Sequence, residues 1–583
     1  MRKIVFTLCA CTLSSFLNAQ TNKAKDTIKT EVKNVITSYT PTISDAFKIR
    51  KNPKIKLGVN SQRKQLKYQI FSAPVASTFT PKTGIAKSLN IGARDQIFKN
   101  YIAAGFGNNS TPFLEAFLNH SIKPKNNIGV YTKYISSENS IDATLLNSNY
   151  SQMYFGAFYK QEEQDYTWKV NTNYQQNTYN WYGLPSTITY LPTTIATIEE
   201  AQTYTNFNTN AEIILEDSFL KSTQIKLSLF SDAFSSKELR FVAKPKFKIS
   251  LKNIGKNFNE LVLNTSLDYL NGHSQQSYSA PTKLEHSFFT LGVFPKYNFE
   301  HKKFNFSVGT KIYFTSDIEN KAHQFYAYPD ININYPIVEN HMYLYVGASG
   351  DLNTNTIQNL TELNPYISPT QFITQTNQKY DFFSGLHGKL LSNISYNLKV
   401  SYSDEDDKAL FVQNNSKTDG ITSAGLLGYE YGNSFSVIYD DVQTLSFSGK
   451  ISMDIDKNLV VGAYGEFNSF TLANQTEAWN LPSINTEIFA NYKTSKWYAG
   501  ATIFAVSQRK DVTFNTTYPS SINGTQTLKS FLDLNINGGY HINNQFTVFL
   551  KINNITNSKY QQFSNFNVQG LQVLGGVSYQ FDF

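Results

Sequence analysis

The chain has 583 residues, 52 Lys and Arg against 44 Asp and Glu, a formal net charge of +8 and a mean hydropathy of −0.35. Aromatic residues make up 15% of it (37 Tyr, 44 Phe, 4 Trp), more than a soluble core built on Leu, Val and Ala needs. No stretch after the N-terminus approaches ~18 consecutive apolar residues, which excludes a transmembrane helix. The basic residues are scattered, with no basic helix or cluster to meet nucleic acid.

Residues 1–19 read as a secretory signal. Arg2 and Lys3 form its charged start and residues 4–11 a short apolar core. Leu17, Asn18 and Ala19 place cleavage between Ala19 and Gln20. A lipoprotein with Cys11 as acceptor is the alternative, and the core before it is short for that purpose. Both cysteines, Cys9 and Cys11, fall inside the signal, so the mature chain is expected to have no disulfide or thiol chemistry. Loss of Arg2 and Lys3 takes the net charge from +8 to +6.

Residues 20–98 are polar and Lys-rich, and they read as a periplasmic or luminal segment. Residues 44–49 have the composition of one helical turn capped by Ser44 or Asp45. A short β-like piece at 66–71 precedes Pro74, Pro81 and Gly84. It reads as a strand or loop inside or below a barrel mouth, with disorder as the alternative.

From Lys99 to the end a hairpin pattern runs without a break. Ten short turns, from 123–126 to 542–545, alternate with mostly longer polar loops such as 177–201, 351–378 and 507–527. In the last stretch Leu532, Leu534, Ile536 and Tyr540 fall on one face, and Asp533, Asn535 and Asn537 on the other. Phe546, Val548, Leu550 and Ile552 continue the apolar face, and Val573, Val577, Tyr579, Phe581 and Phe583 close it. A period of two means a strand with one apolar and one wet face. Phe549 and Leu574 are the exceptions, apolar on the wet side. Glu115 and Lys450 sit in otherwise apolar strands, and a charge in hydrocarbon costs ~2–4 kcal/mol at mid-depth, so both must face a lumen.

These observations predict an all-β fold: a transmembrane antiparallel β-barrel over residues 99–583. Its ten short turns are periplasmic and its long loops extracellular, which implies about 22 strands within a range of roughly 18–24. The expected location is the outer membrane of a diderm bacterium. Outer-membrane lipid and lipopolysaccharide are the expected surroundings. Aromatic groups at Tyr154, Phe155, Phe158 and Tyr159, at Trp497 and Tyr498, and at Phe288 and Phe289 read as interfacial girdle residues, some of which fill the lumen instead. The acidic run 404–407 reads as a solvated bend or loop, with a divalent cation site as the alternative. The aromatic tract 181–185 sits in a long loop, where it packs on another loop or stacks on a sugar.

Three segments carry a family resemblance. They are Trp479-Asn480-Leu481-Pro482 with the strands after it, the run from Leu550 to Tyr560, and the closing Tyr579-Gln580-Phe581-Asp582-Phe583. These resemble the barrel of TonB-dependent outer-membrane receptors. The resemblance implies a receptor-type barrel. It also marks Tyr579, Phe581 and Phe583 as a C-terminal signal read by the barrel assembly machinery. Fewer than about 80 residues precede the first strand, judged from where alternation begins, too few for that family's full plug domain. Residues 30–37 resemble the family's energy-coupling box or the plug's opening strand only faintly. Residues 38–46 and 100–108 resemble plugless receptor-like barrels of Bacteroidota.

No enzyme motif stands out. The eight histidines are dispersed, with no metal-ligand spacing, and neither a nucleophile elbow nor a phosphate loop occurs. No cofactor, metal or nucleic-acid partner is expected. The function expected first is that of a plugless pore, or of a scaffold or partner subunit in the outer membrane working with an outer-membrane or periplasmic protein. The alternative is a TonB-dependent transporter for a chelate, glycan or other nutrient; a barrel-borne enzyme or adhesin stands third. An open barrel this wide would leak, so residues 20–98, inward-folded loops or a partner should occlude it.

Overall fold

A computed structural model of the chain describes residues 98–123, 125–138, 141, 144–251, 260–421, 425–515 and 520–583. The expected signal and the segment 20–97 lie outside these residues. The described chain forms one 22-stranded sheet, each barrel strand antiparallel to its neighbours. The first strand, Asn100–Gly107, pairs on one side with Thr111–Lys123 and on the other with the last strand, Gln572–Phe581. That pairing closes the sheet into a barrel, so none of its 22 strands presents a free edge. The count of 22 strands agrees with the pattern read from the sequence.

The alternation sets which way each side chain points. Leu445, Phe447 and Ile451 are exposed on the outside, as are Leu532, Ile536, Tyr540, Phe546, Val548, Leu550 and Val577. In water this continuous apolar surface would aggregate; around a barrel it is the belt that meets lipid. Asp533, at 2% exposure, and Lys450 lie on the opposite face, as expected. Glu115 lies beside inward-facing Ala103 and accepts a hydrogen bond from the Tyr101 hydroxyl. The chain is thus a multi-pass outer-membrane barrel.

At the short-turn end, aromatic pairs ring the belt: Tyr492 with Trp497 at 4.6 Å, Phe299 with Phe306 at 4.8 Å, and Phe304 with Tyr335 at 4.4 Å. Some residues grouped with the girdle lie elsewhere. Phe288 is buried among the outer loops, and Tyr154 lines an internal cavity.

The two exceptions in the alternation have a structural reason. Phe549 and Leu574 form an inward apolar cluster with Ala103, Phe113 and Ile135, where the first and last strands meet. Phe113 and Phe549 stand edge to face at 6.0 Å, and the Lys551 ammonium lies 4.5 Å from the Phe113 ring centre. Gly576 makes room for this: a Cβ there would sit 2.4 Å from the Phe549 ring. The seam is held by packed apolar groups as well as by the ladder.

The acidic run 404–407 corrects its sequence reading. It lies within the strand Ile394–Gln413, at a bulge between Glu405 and Lys408 where Asp407 has φ 52. Glu405 and Lys408 form a buried ion pair at 2.6 Å, and Lys379 reaches Asp406 at 2.5 Å. Lys379 also reaches Asp404 at 3.4 Å, so lysines pair with three of the four carboxylates.

Candidate functional site

The outer loops fold inward and meet across the mouth of the barrel. Loop 181–200 joins Tyr166–Asn180 to Ala201–Leu215, and loop 414–434 joins Ile394–Gln413 to Phe435–Asp454 on the far wall. Asn433 Nδ2 donates to the Trp181 carbonyl at 2.7 Å, and the Tyr190 hydroxyl donates to the Tyr431 carbonyl at 2.7 Å. Loop 554–571 joins them through Tyr182, whose hydroxyl donates to the Asn567 carbonyl at 2.9 Å. These loops share one apolar core that includes Trp181, Tyr182, Tyr429, Tyr431, Phe435, Phe563 and Phe566. Trp181 is 1% exposed and packs between Phe234, tilted, and Tyr429, edge-on, both at 5.4 Å. The tract 181–185 therefore packs on other loops and does not present itself to a ligand outside.

Loop 355–374 adds a second tier. Helix α1 (Pro192–Ile195) lies in loop 181–200, and helix α2 (Ile357–Leu363) starts the second-tier loop. Thr356 caps α2 by accepting from the Asn359 N–H at 3.0 Å. Gln371 ties the loop to the wall: its Nε2 donates to the Phe435 carbonyl at 3.1 Å, and its Oε1 accepts from the Val437 N–H at 2.8 Å. Tyr366 stacks on Phe566 at 3.8 Å. The result is a cap with its own core, set on the barrel like a small domain.

A hairpin of Arg509–Phe514 with Ile522–Leu528 braces the far side, outside the membrane-spanning strands. The Arg509 guanidinium donates to the carbonyls of Gln561 and Gln562, and burial lowers its pKa to about 10, so it stays charged at neutral pH. Asp511 is fully buried, and desolvation raises its carboxyl to about 6, against hydrogen bonds from the Gln413 and Val512 N–H groups. A raised carboxylate pKa contributes stability that is complete below the unfolded value near 3.8 and is lost as pH rises through about 6. The hairpin should therefore be best protected near pH 4 and lose about 3 kcal/mol by pH 7.5. Hydrogen exchange over 509–528, corrected for intrinsic rates, measures this. Asp511→Asn should flatten the profile, and an unchanged profile would count against the assignment.

Where the cap meets the wall there is a cavity of about 680 Å³. Its wall side is built from Asn126–Ser137, Tyr150–Glu162, Tyr166–Asn180 and Ala201–Leu215, with Asp533, Asn553 and Gln572 from the last three barrel strands, and its cap side from residues 361–366 and 560–569. Tyrosines, asparagines and glutamines dominate the lining, and Lys133, Glu362 and Asp533 are its charged members. Among the described residues no group of three or more His, Cys, Asp or Glu is placed to hold a metal ion. The residues read as an insertion signal lie at the other end of the barrel. Tyr579 and Phe581 stack at 5.4 Å, and Phe583, edge-on to Phe581, is largely exposed.

The alternation that located the walls says nothing of which loops meet. The signal available was compositional: Trp181, Tyr182, Tyr366, Tyr429, Tyr431, Phe563 and Phe566 are large aromatics in stretches otherwise polar enough to be loops.

No family model and no curated protein matches the sequence. Solved structures do. The chain is similar to the FrpB iron transporter from Neisseria meningitidis, with TM-score 0.61 and 10% identity over 84% of this chain and 83% of that one. It is similar to the pyoverdine outer membrane receptor FpvA from Pseudomonas aeruginosa, with TM-score 0.60 and 11% identity over 83% of this chain and 78% of that one. A ferric enterobactin receptor from Pseudomonas aeruginosa gives TM-score 0.58 and 10% identity over 83% of this chain and 81% of that one. The fold is that of the 22-stranded barrel of TonB-dependent outer-membrane receptors.

Proposed function

We propose that the chain is a receptor-like outer-membrane channel without a complete plug domain, held shut by its own outer loops and opened to pass a selected ligand. The observation that carries this reading is the shared apolar core of the cap, contributed by loops from opposite walls. A general pore leaves its mouth open; here Asn433 and Trp181 join across it. The cavity under the cap favours ligand uptake over a purely scaffolding role, because a scaffold has no use for a lined internal site. The similar solved structures are an iron transporter and receptors for pyoverdine and ferric enterobactin, which fits uptake without fixing the ligand. In this reading residues 20–98 take the place of a reduced plug or contact an energising periplasmic partner.

Single-channel conductance in planar bilayers tests it. The full chain should be silent. Deleting residues 20–98 should leave it silent if the cap alone closes the channel. Large stable currents from the full chain would sink the gated reading.

The closing aromatics are proposed as the signal for insertion. Removing Phe583 should lower the fraction of heat-modifiable, folded barrel in the outer membrane without changing the refolded barrel in vitro. Equal assembly of the two chains would refute that role.

A further inference from the structure

The cavity beneath the cap has a chemistry of its own. Tyr131, Tyr150, Tyr154, Tyr179 and Tyr204 are among the residues that line it. Polar atoms of the same lining stand buried without a hydrogen-bond partner: Asn177 Oδ1, Asn206 Oδ1, Asp533 Oδ1, Ser148 Oγ and Gln562 Nε2. Asn206 is 1% exposed, Asp533 2% and Ser148 4%. A buried polar atom without a partner is costly, and native structures keep few of them. Here five are gathered at one cavity. Small turns of these short side chains would aim them at a guest. All but Gln562 offer an oxygen that accepts, so the guest must donate hydrogen bonds in several directions.

The charge pattern narrows the guest further. Lys133 is the one cation of the lining, against Glu362 and Asp533. A polyanion would meet more negative than positive charge and little to pair with. A neutral molecule rich in hydroxyls, with C–H faces to lay on phenol rings, fits both the donors required and the aromatic walls. We propose that this cavity binds a neutral oligosaccharide, held by the amide oxygens of Asn177 and Asn206 and by tyrosine faces. The proposal rests on the gated reading for its route of entry, since the cap must open to admit a ligand from outside. Binding and conductance are read separately, so failure of the site and failure of the gate are told apart.

The test is isothermal titration of the full chain in detergent micelles. The probes are maltotriose, cellotriose, xylotriose, mannotriose and raffinose, with a ferric tris-catecholate and a neutral tripeptide as comparators. At least one trisaccharide should bind with 1:1 stoichiometry. The double variant Asn177→Leu/Asn206→Leu should weaken it by about tenfold or more, two hydrogen bonds being lost. This variant removes atoms that have no partner in the fold, so the barrel should stay folded, and heat-modifiable migration checks that. Several results would overturn the proposal: no trisaccharide binding, binding indifferent to the double variant, or asparagine-dependent binding of the ferric complex or the peptide. Sugar binding by a full chain that conducts freely would instead keep the site and remove the gate.

Discussion

Replacing Trp181 and Phe566 together by alanine should turn a silent barrel into a conducting one. Trp181 is 1% exposed and lies between Phe234 and Tyr429; Phe566 is 1% exposed and stacks on Tyr366 at 3.8 Å. Truncating a buried Trp or Phe costs about 3–5 kcal/mol, so the pair removes a large share of what holds a small cap together. The barrel has other support: a closed ladder of 22 strands and a lipid-facing belt that neither substitution touches. The cap should therefore open while the wall persists. The measurement is single-channel conductance, with heat-modifiable migration as the control for an intact barrel and limited proteolysis of loops 181–200 and 554–571 as the control for an opened cap. Cleaved loops with no current would move the block to residues 20–98 or to a partner.

The wall of this protein was legible in its sequence and the cap was not, for one physical reason. A barrel strand repeats one rule, lipid on one side and lumen on the other, so Leu532, Ile536 and Tyr540 announce their face without knowledge of any distant residue. Even the breaks in the rule were visible, as at Phe549 and Leu574, although their purpose at the seam was not. The cap follows no period. Tyr182 meets Asn567 and Trp181 meets Asn433 across hundreds of residues, and such contacts depend on where the wall has already placed the loop ends. The acidic run 404–407 misled for a similar reason. Four adjacent acids look like a solvated loop until Lys379 and Lys408 are brought beside them by register.

The dispersed histidines hide the sharpest of these cases, and they lead to the second large effect. Glu238, Gly272 and His286 are far apart in sequence, yet register sets them in one row across three neighbouring strands. Gly272 has no side chain to fill the middle of the row, and a Cβ there would lie 2.5 Å from His286 Nε2. The imidazole crosses that gap to face Glu238 Oε2 at 3.3 Å, and the same oxygen accepts the Ile357 N–H at 2.8 Å. All of this is dry: the side chains of His286 and Glu238 are 2% and 3% exposed. The row is thus a latch between the wall and the first turn of α2. Glu238→Ala should cost about 3–5 kcal/mol, because it leaves a ring nitrogen and a backbone donor buried without a partner. Glu238→Gln keeps an acceptor for Ile357 and should cost about 1 kcal/mol. Gly272→Ala should resemble Glu238→Ala by displacing the ring, although no charged group is touched. In each variant the loss should appear as faster hydrogen exchange across residues 355–374, with the far hairpin 509–528 unchanged. Equal effects of alanine and glutamine at 238 would mean that the carboxyl only fills space, and an innocuous Gly272→Ala would mean that the ring does not need the gap.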